Sequence, residues 1–127
     1  MPNSRVLDVQ VLYVEDDEET RDGVAEALRL RVKELTIARD GKEGLELYKK
    51  VQPQIIITDI KMPVMNGLEM SREIKKINKH TPIIVTTAYN DSDLLIECID
   101  VGVNQFVLKP IVVVKLMESL AKCMELL

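Results

Sequence analysis

Five short apolar runs punctuate the chain, at Val9–Val14, Leu35–Ala38, Ile55–Ile57, Ile83–Thr86 and Gln105–Leu108, and each reads as a strand. Ile55, Ile56 and Ile57 stand in succession without polar alternation. A strand wetted on one side would alternate, so this pattern predicts one covered on both faces. Between the runs the apolar positions change to helical spacing. Val24, Ala27 and Leu28, continuing to Arg31 and Val32, form one such face, and Leu45, Tyr48 and Val51 form the next. Met70, Ile74 and Ile77 form a third, with Arg72, Glu73, Lys75 and Lys76 turned to water. Asn90 to Asp93 is a capping cluster for a fourth helix that ends near Gly102. The last helix carries a stripe of Val113, Met117, Leu120, Met124 and Leu127, with Leu116 and Cys123 beside it. Most of that stripe packs on the sheet, and its persistence to the last residue leaves room for a dimer face or a continuing helix.

Strand and helix thus alternate five times, with connections short enough to demand crossovers. The economical architecture is α/β: a doubly wound (βα)5 fold, a five-stranded parallel sheet with helices on both faces. At 127 residues, the whole of 1–127 is expected to be a single domain.

Composition narrows the function classes. Hydrophobic residues make up 46% and charged residues 30%, an ordinary globular balance. No opening segment resembles a signal peptide, and no apolar run nears the roughly 20 residues that span a bilayer, so a cytoplasmic protein without membrane contact is expected. The net charge of -4, with no dense Lys and Arg cluster, argues against direct nucleic-acid binding. Cys98 and Cys123 lack metal-ligand spacing and read as buried free thiols.

The candidate chemistry lies at the strand ends, where open α/β sheets place their sites. Asp59 closes the third strand, and Pro63 and Asn66-Gly67 then signal a loop. Glu15 and Asp16 close the first strand, while Asp17, Glu18 and Glu19 suit a helix start. Thr87 and Lys109 end the fourth and fifth strands. Taken singly, Asp59 is a turn cap, Thr87 a strand residue, Lys109 a surface lysine and Phe106 a core residue. As a set, three carboxylates in one crevice repel each other unless a cation intervenes. Oxygen ligands without His or Cys favour a hard ion, Mg²⁺ before Ca²⁺. Asp59 can then be ligand and nucleophile at once, with Lys109 and Thr87 receiving phosphoryl oxygens.

These residues sit in segments, VLYVEDD, TDIKMPVMNG, VTTAY and FVLKP, that resemble in sequence and order the receiver domain of bacterial response regulators in two-component signalling. The resemblance covers nearly the whole chain and implies a CheY-like, flavodoxin-like strand order 2-1-3-4-5. It implies Asp59 as the phosphoacceptor, and Mg²⁺ surrounded by Glu15 (through water), Asp16, Asp59 and the backbone carbonyl of Lys61. It further implies Thr87 and Lys109 on the phosphoryl group, a cis Lys109-Pro110 peptide, and Phe106 as the aromatic that turns inward when Thr87 moves. The implied partners are a sensor histidine kinase or phosphotransfer protein as donor, and an output domain or partner protein reached through the fourth helix, fifth strand and fifth helix. The chain would not be an enzyme beyond its own phosphorylation and dephosphorylation, and would be a monomer or weak homodimer. It would be a stand-alone phosphorelay or adaptor protein, or the input domain of a longer regulator with a DNA-binding, diguanylate cyclase or kinase output. Lys61 and Tyr89 flank the site, and a bulky Tyr89 is expected to slow dephosphorylation by obstructing water.

Two rivals fail on residues. A phosphatase of the haloacid dehalogenase type would need an Asp two positions after its nucleophile, where Lys61 stands. A flavodoxin-like cofactor binder would meet phosphate with donors after the first strand, where five acids stand instead, and no GxGxxG is present.

Overall fold

The computed structural model describes residues 6–88 and 92–127. Its elements are β1 (Leu7–Val14), α1 (Glu18–Arg29), β2 (Val32–Ala38), α2 (Gly41–Val51), β3 (Ile55–Asp59), α3 (Gly67–Ile77), β4 (Ile83–Thr87), α4 (Ser92–Val101), β5 (Gln105–Leu108) and α5 (Val113–Met124). All strand pairs are parallel, in the order β2-β1-β3-β4-β5, as the resemblance implied.

The isoleucine run of β3 has its explanation in the two cores. Ile55 and Ile57 enter one core with Val9, Val11 and Tyr13 of β1, Val24 and Leu28 of α1, and Leu116, Leu120 and Cys123 of α5. Ile56 enters the other with Leu12, Tyr48 of α2, Met70 and Ile74 of α3, and Cys98 of α4. Successive side chains of a strand point to opposite faces, so a central strand between two helical layers favours apolar residues at consecutive positions until it nears its tip. No helix among the described residues is long and apolar enough to cross a membrane.

Several boundaries differ from the sequence pattern. The first helix ends at Arg29, and Val32 opens β2 as the register partner of Leu7. Local helical spacing there yields to a buried strand pairing that only β1 can supply. Val51 and Ile77, assigned inward, are exposed at the last turns of their helices. Lys75, assigned to water, is partly buried, and its ammonium donates to the carbonyls of Thr81 (2.7 Å) and Lys79 (3.3 Å). On α5 the buried line is Leu116, Leu120 and Cys123, with Leu127 exposed. The α4 helix ends as expected at Gly102, whose φ of 99° suits glycine and whose N–H returns to the Cys98 carbonyl.

Cys98 and Cys123 are buried free thiols in different cores, so the sheet stands between them. Burial pushes both thiols up, Cys123 to about 11. At pH 8 a thiol with that pKa is thiolate in only about one molecule per thousand. The folded protein is therefore expected to react slowly with a chromogenic disulfide reagent at pH 8, and to release both thiols at once in denaturant. Fast modification of either thiol before unfolding would contradict this placement.

Candidate functional site

Parallel strands present their carboxyl ends on one edge of the sheet, and the register aligns the chemistry there. Thr58 pairs with Val14, so Asp59 is level with Glu15, and on its other side Asp59 pairs with Thr86. Glu15, Asp16 and Asp59 each offer a carboxylate oxygen within 4.8 Å of the others. Lys109 reaches back from the end of β5 and bridges two of them, Nζ lying 2.9 Å from Glu15 Oε1 and 3.0 Å from Asp59 Oδ2.

The remaining carboxylate oxygens are held by the backbone. Glu15 Oε2 accepts from Asp17 N–H at 3.1 Å, and Asp59 Oδ1 from Ile60 N–H at 2.7 Å. Asp17 caps α1 by accepting from Thr20 N–H, which fixes the acidic turn to the helix start. Glu15 is only 1% exposed. Burial pushes its pKa up, against the opposing hydrogen bonds from Lys109 and Asp17. For Lys109, burial acts to lower the pKa, but the hydrogen bonds and charges of Glu15 and Asp59 outweigh it and hold the ammonium above its ordinary value. The lysine is therefore a fixed positive charge across the neutral range.

Thr87 ends β4, buried, with Oγ1 donating to the Ala88 carbonyl at 3.0 Å. Asp59, Lys61, Thr87 and Lys109 line one crevice of about 260 Å³. Phe106 is level with Val85 in the register and packs, partly buried, against the core under α2, α3 and α4. Side-chain alternation along β4 puts Thr87 on that same face. The Lys109-Pro110 peptide is cis. Tyr89, expected at the rim, lies outside the described residues, as do Asn90 and Asp91 of the capping cluster.

A profile of the response regulator receiver domain matches residues 11–121. The chain belongs to the response regulator receiver family. Among curated receivers, the chemotaxis protein CheY of Thermotoga maritima is 39% identical over 85 residues, covering 67% of this chain and 71% of that protein. A cyclic di-GMP phosphodiesterase of the same organism is 33% identical over 101 residues, but this chain, 80% covered, spans only 27% of its length. The solved receiver CheY4 of Vibrio cholerae superposes with a TM-score of 0.85 at 30% identity, over 91% of this chain and 98% of that one.

Three residues of this receiver's site escaped the sequence reading. Arg21, on the second turn of α1, donates to the carbonyls of Glu15 (3.2 Å) and Asp16 (3.4 Å), holding the acidic turn from behind. Leu94, in the first turn of α4, forms a wall of the crevice, and Ile60 lies beside Asp59. An arginine in a polar helix and a leucine in an apolar one carry no local signal of such roles.

The loop after Asp59 carries strain. Val64 has a φ of 70°, and the Met65 N–H donates to the Pro63 carbonyl at 2.8 Å, closing a γ-turn of the rare positive-φ type around a residue that is 76% exposed. A β-branched side chain in the left-handed region is disfavoured by about 1–2 kcal/mol. Val64→Asn, whose side chain tolerates that region, is expected to raise stability by about 1 kcal/mol in urea unfolding. An unchanged or lower midpoint would show that the valine is not strained.

Proposed function

We propose that residues 1–127 form one receiver domain that accepts a phosphoryl group on Asp59 from the phosphohistidine of a sensor kinase or phosphotransfer protein. The observation that carries this reading is the convergence of Glu15, Asp16 and Asp59 with Lys109 bridging two of the three. Receivers of this family bind Mg²⁺ in such an acidic pocket, and the donor set fits: oxygen ligands only, and more carboxylates than one ammonium neutralises. Glu15 (through water), Asp16, Asp59 and the Lys61 carbonyl would hold the ion. Bound there, Mg²⁺ supplies charge compensation for the approach of two anionic groups.

The chain's own residues do the rest. The Ile60 N–H and the Lys109 ammonium fix the Asp59 carboxylate, so an oxygen faces the crevice rather than sampling rotamers. That oxygen attacks phosphorus in line, the O–P bond forming as the P–N bond breaks and its electron pair returns to the donor imidazole. Lys109 then follows the charge to the phosphoryl oxygens. Thr87 turns its hydroxyl from the Ala88 carbonyl toward them, and Phe106 takes the space released on the shared face. That shift biases the surface of α4, β5 and α5, where Ile96, Ile99, Leu108, Val112 and Val114 are exposed, toward its output domain or partner. Catalysis would end with the chain's own phosphorylation and dephosphorylation, in the cytoplasm; stand-alone adaptor and input domain remain equally compatible.

The test is labelling from a small phosphodonor such as acetyl phosphate. Uptake is expected to need Mg²⁺, to stop with a chelator, and to be reversed by hydroxylamine, which cleaves acyl phosphates. Label resistant to hydroxylamine would place phosphorus on a hydroxyl and refute the proposal.

A further inference from the structure

Among the described residues, two buried side-chain polar atoms have no hydrogen-bond partner, the Tyr13 hydroxyl and the Thr86 hydroxyl. Both residues are fully buried, and each stands near the end of a strand, the edge of the sheet that carries the acidic residues. Thr86 is the register partner of Asp59. Tyr13 is two residues before Glu15, on the same face of β1 by side-chain alternation. Unpaired buried hydroxyls are costly and native cores hold few of them. Two at one strand edge, beneath one site, call for a state in which they are used.

The hydrogen bonds of Glu15 indicate that state. One of its oxygens depends on Lys109 and the other on the Asp17 N–H. Lys109 is shared with Asp59, and a phosphoryl group there would add negative charge on that side and draw the ammonium toward it. Glu15 would then exchange the ammonium for the metal-bound water alone, and a buried carboxylate gains from a further donor in the low local dielectric. Tyr13 carries an uncommitted proton on the same strand face.

We infer that Tyr13 is a positioning residue of the pocket, its hydroxyl donating to the Glu15 carboxylate once Lys109 turns to the phosphoryl group on Asp59. The inference rests on the receiver reading above and adds a residue to it. It explains why a tyrosine stands where an aliphatic side chain would fill the same core without an orphaned oxygen.

The test compares wild type with Tyr13→Phe, which keeps the ring and removes only the hydroxyl. Without metal, the variant is expected to unfold at the same midpoint or higher, since its hydroxyl had no partner to lose. With Mg²⁺ and beryllofluoride, a phosphoryl analogue, the variant is expected to bind the analogue about tenfold more weakly, the scale of a hydrogen bond to a charged acceptor. Its thermal midpoint should also gain less from the analogue. Wild type should show a tyrosine ultraviolet difference spectrum on loading that the variant lacks in part, because Tyr48 and Tyr89 are common to both. Equal analogue affinity and equal spectra in the two proteins would overturn the inference. So would a metal-free variant destabilised as much as the loaded one, since the hydroxyl would then already be bonded. Both failures leave phosphoryl labelling intact, whereas absence of label on wild type would sink the receiver reading itself.

Discussion

Asp59→Asn is expected to abolish labelling from acetyl phosphate with Mg²⁺ present, by about a thousandfold or more in rate, the scale of losing a covalent nucleophile. The amide oxygen is uncharged and too weak a nucleophile to attack phosphorus. The fold should persist, because Asn keeps an oxygen for the Ile60 N–H, and Lys109 keeps Glu15 as a partner. Circular dichroism and the thermal midpoint should therefore stay near wild type while labelling disappears. Label that persists on a folded Asp59→Asn protein would put the nucleophile elsewhere.

Gly67→Ala is expected to cost about 3 kcal/mol or more, lowering the thermal midpoint by about 10 °C. Gly67 is the first residue of α3, capped by the reciprocal hydrogen bonds of Asn66 and Glu69, and its N–H donates to the Ile60 carbonyl at 2.8 Å. A Cβ there would collide with the Asp59 carbonyl oxygen and lie 2.9 Å from Thr58 Oγ1. Helix α3 would have to retreat or the β3 tip would have to bend, and either displaces the carboxylate from Lys109. Labelling should fall with stability. Gly23 is the control: it lies inside α1 with nothing within 4 Å of a Cβ, so Gly23→Ala should gain about 0.5–1 kcal/mol from helix propensity. Two substitutions of one kind, in helices of one sheet, should move the midpoint in opposite directions. If both move it alike, the close approach at Gly67 is not tight.

The site was legible in the sequence because strand ends in a parallel sheet share an edge. With Asp59 closing the third strand and Glu15 and Asp16 the first, their tips could share one crevice with Thr87 and Lys109, and the strand order that makes the first and third strands neighbours was implied by the family resemblance. The strand 2 boundary was not legible, since Val32 fits a helix face locally and is drawn into a strand by pairing with Leu7. Lys75 was misassigned for a related reason. A lysine reads as solvated until a loop, here Lys79 to Thr81, brings backbone carbonyls within reach of its ammonium.

The sequence by itself determined the alternation of elements, the two-sided burial of the sheet and the set of strand-end residues, because hydrophobic period and turn chemistry are local properties of the chain. Only the tertiary structure decided that Lys109 is shared between Glu15 and Asp59, that Arg21 braces the acidic turn, that Gly67 has no room for a methyl group, and that the hydroxyls of Tyr13 and Thr86 are left without partners. Those facts depend on distances set in three dimensions, whether the partners are 94 and 50 positions apart, as for Lys109, or 6 and 5, as for Arg21, and such distances are fixed by how the helices settle on the sheet.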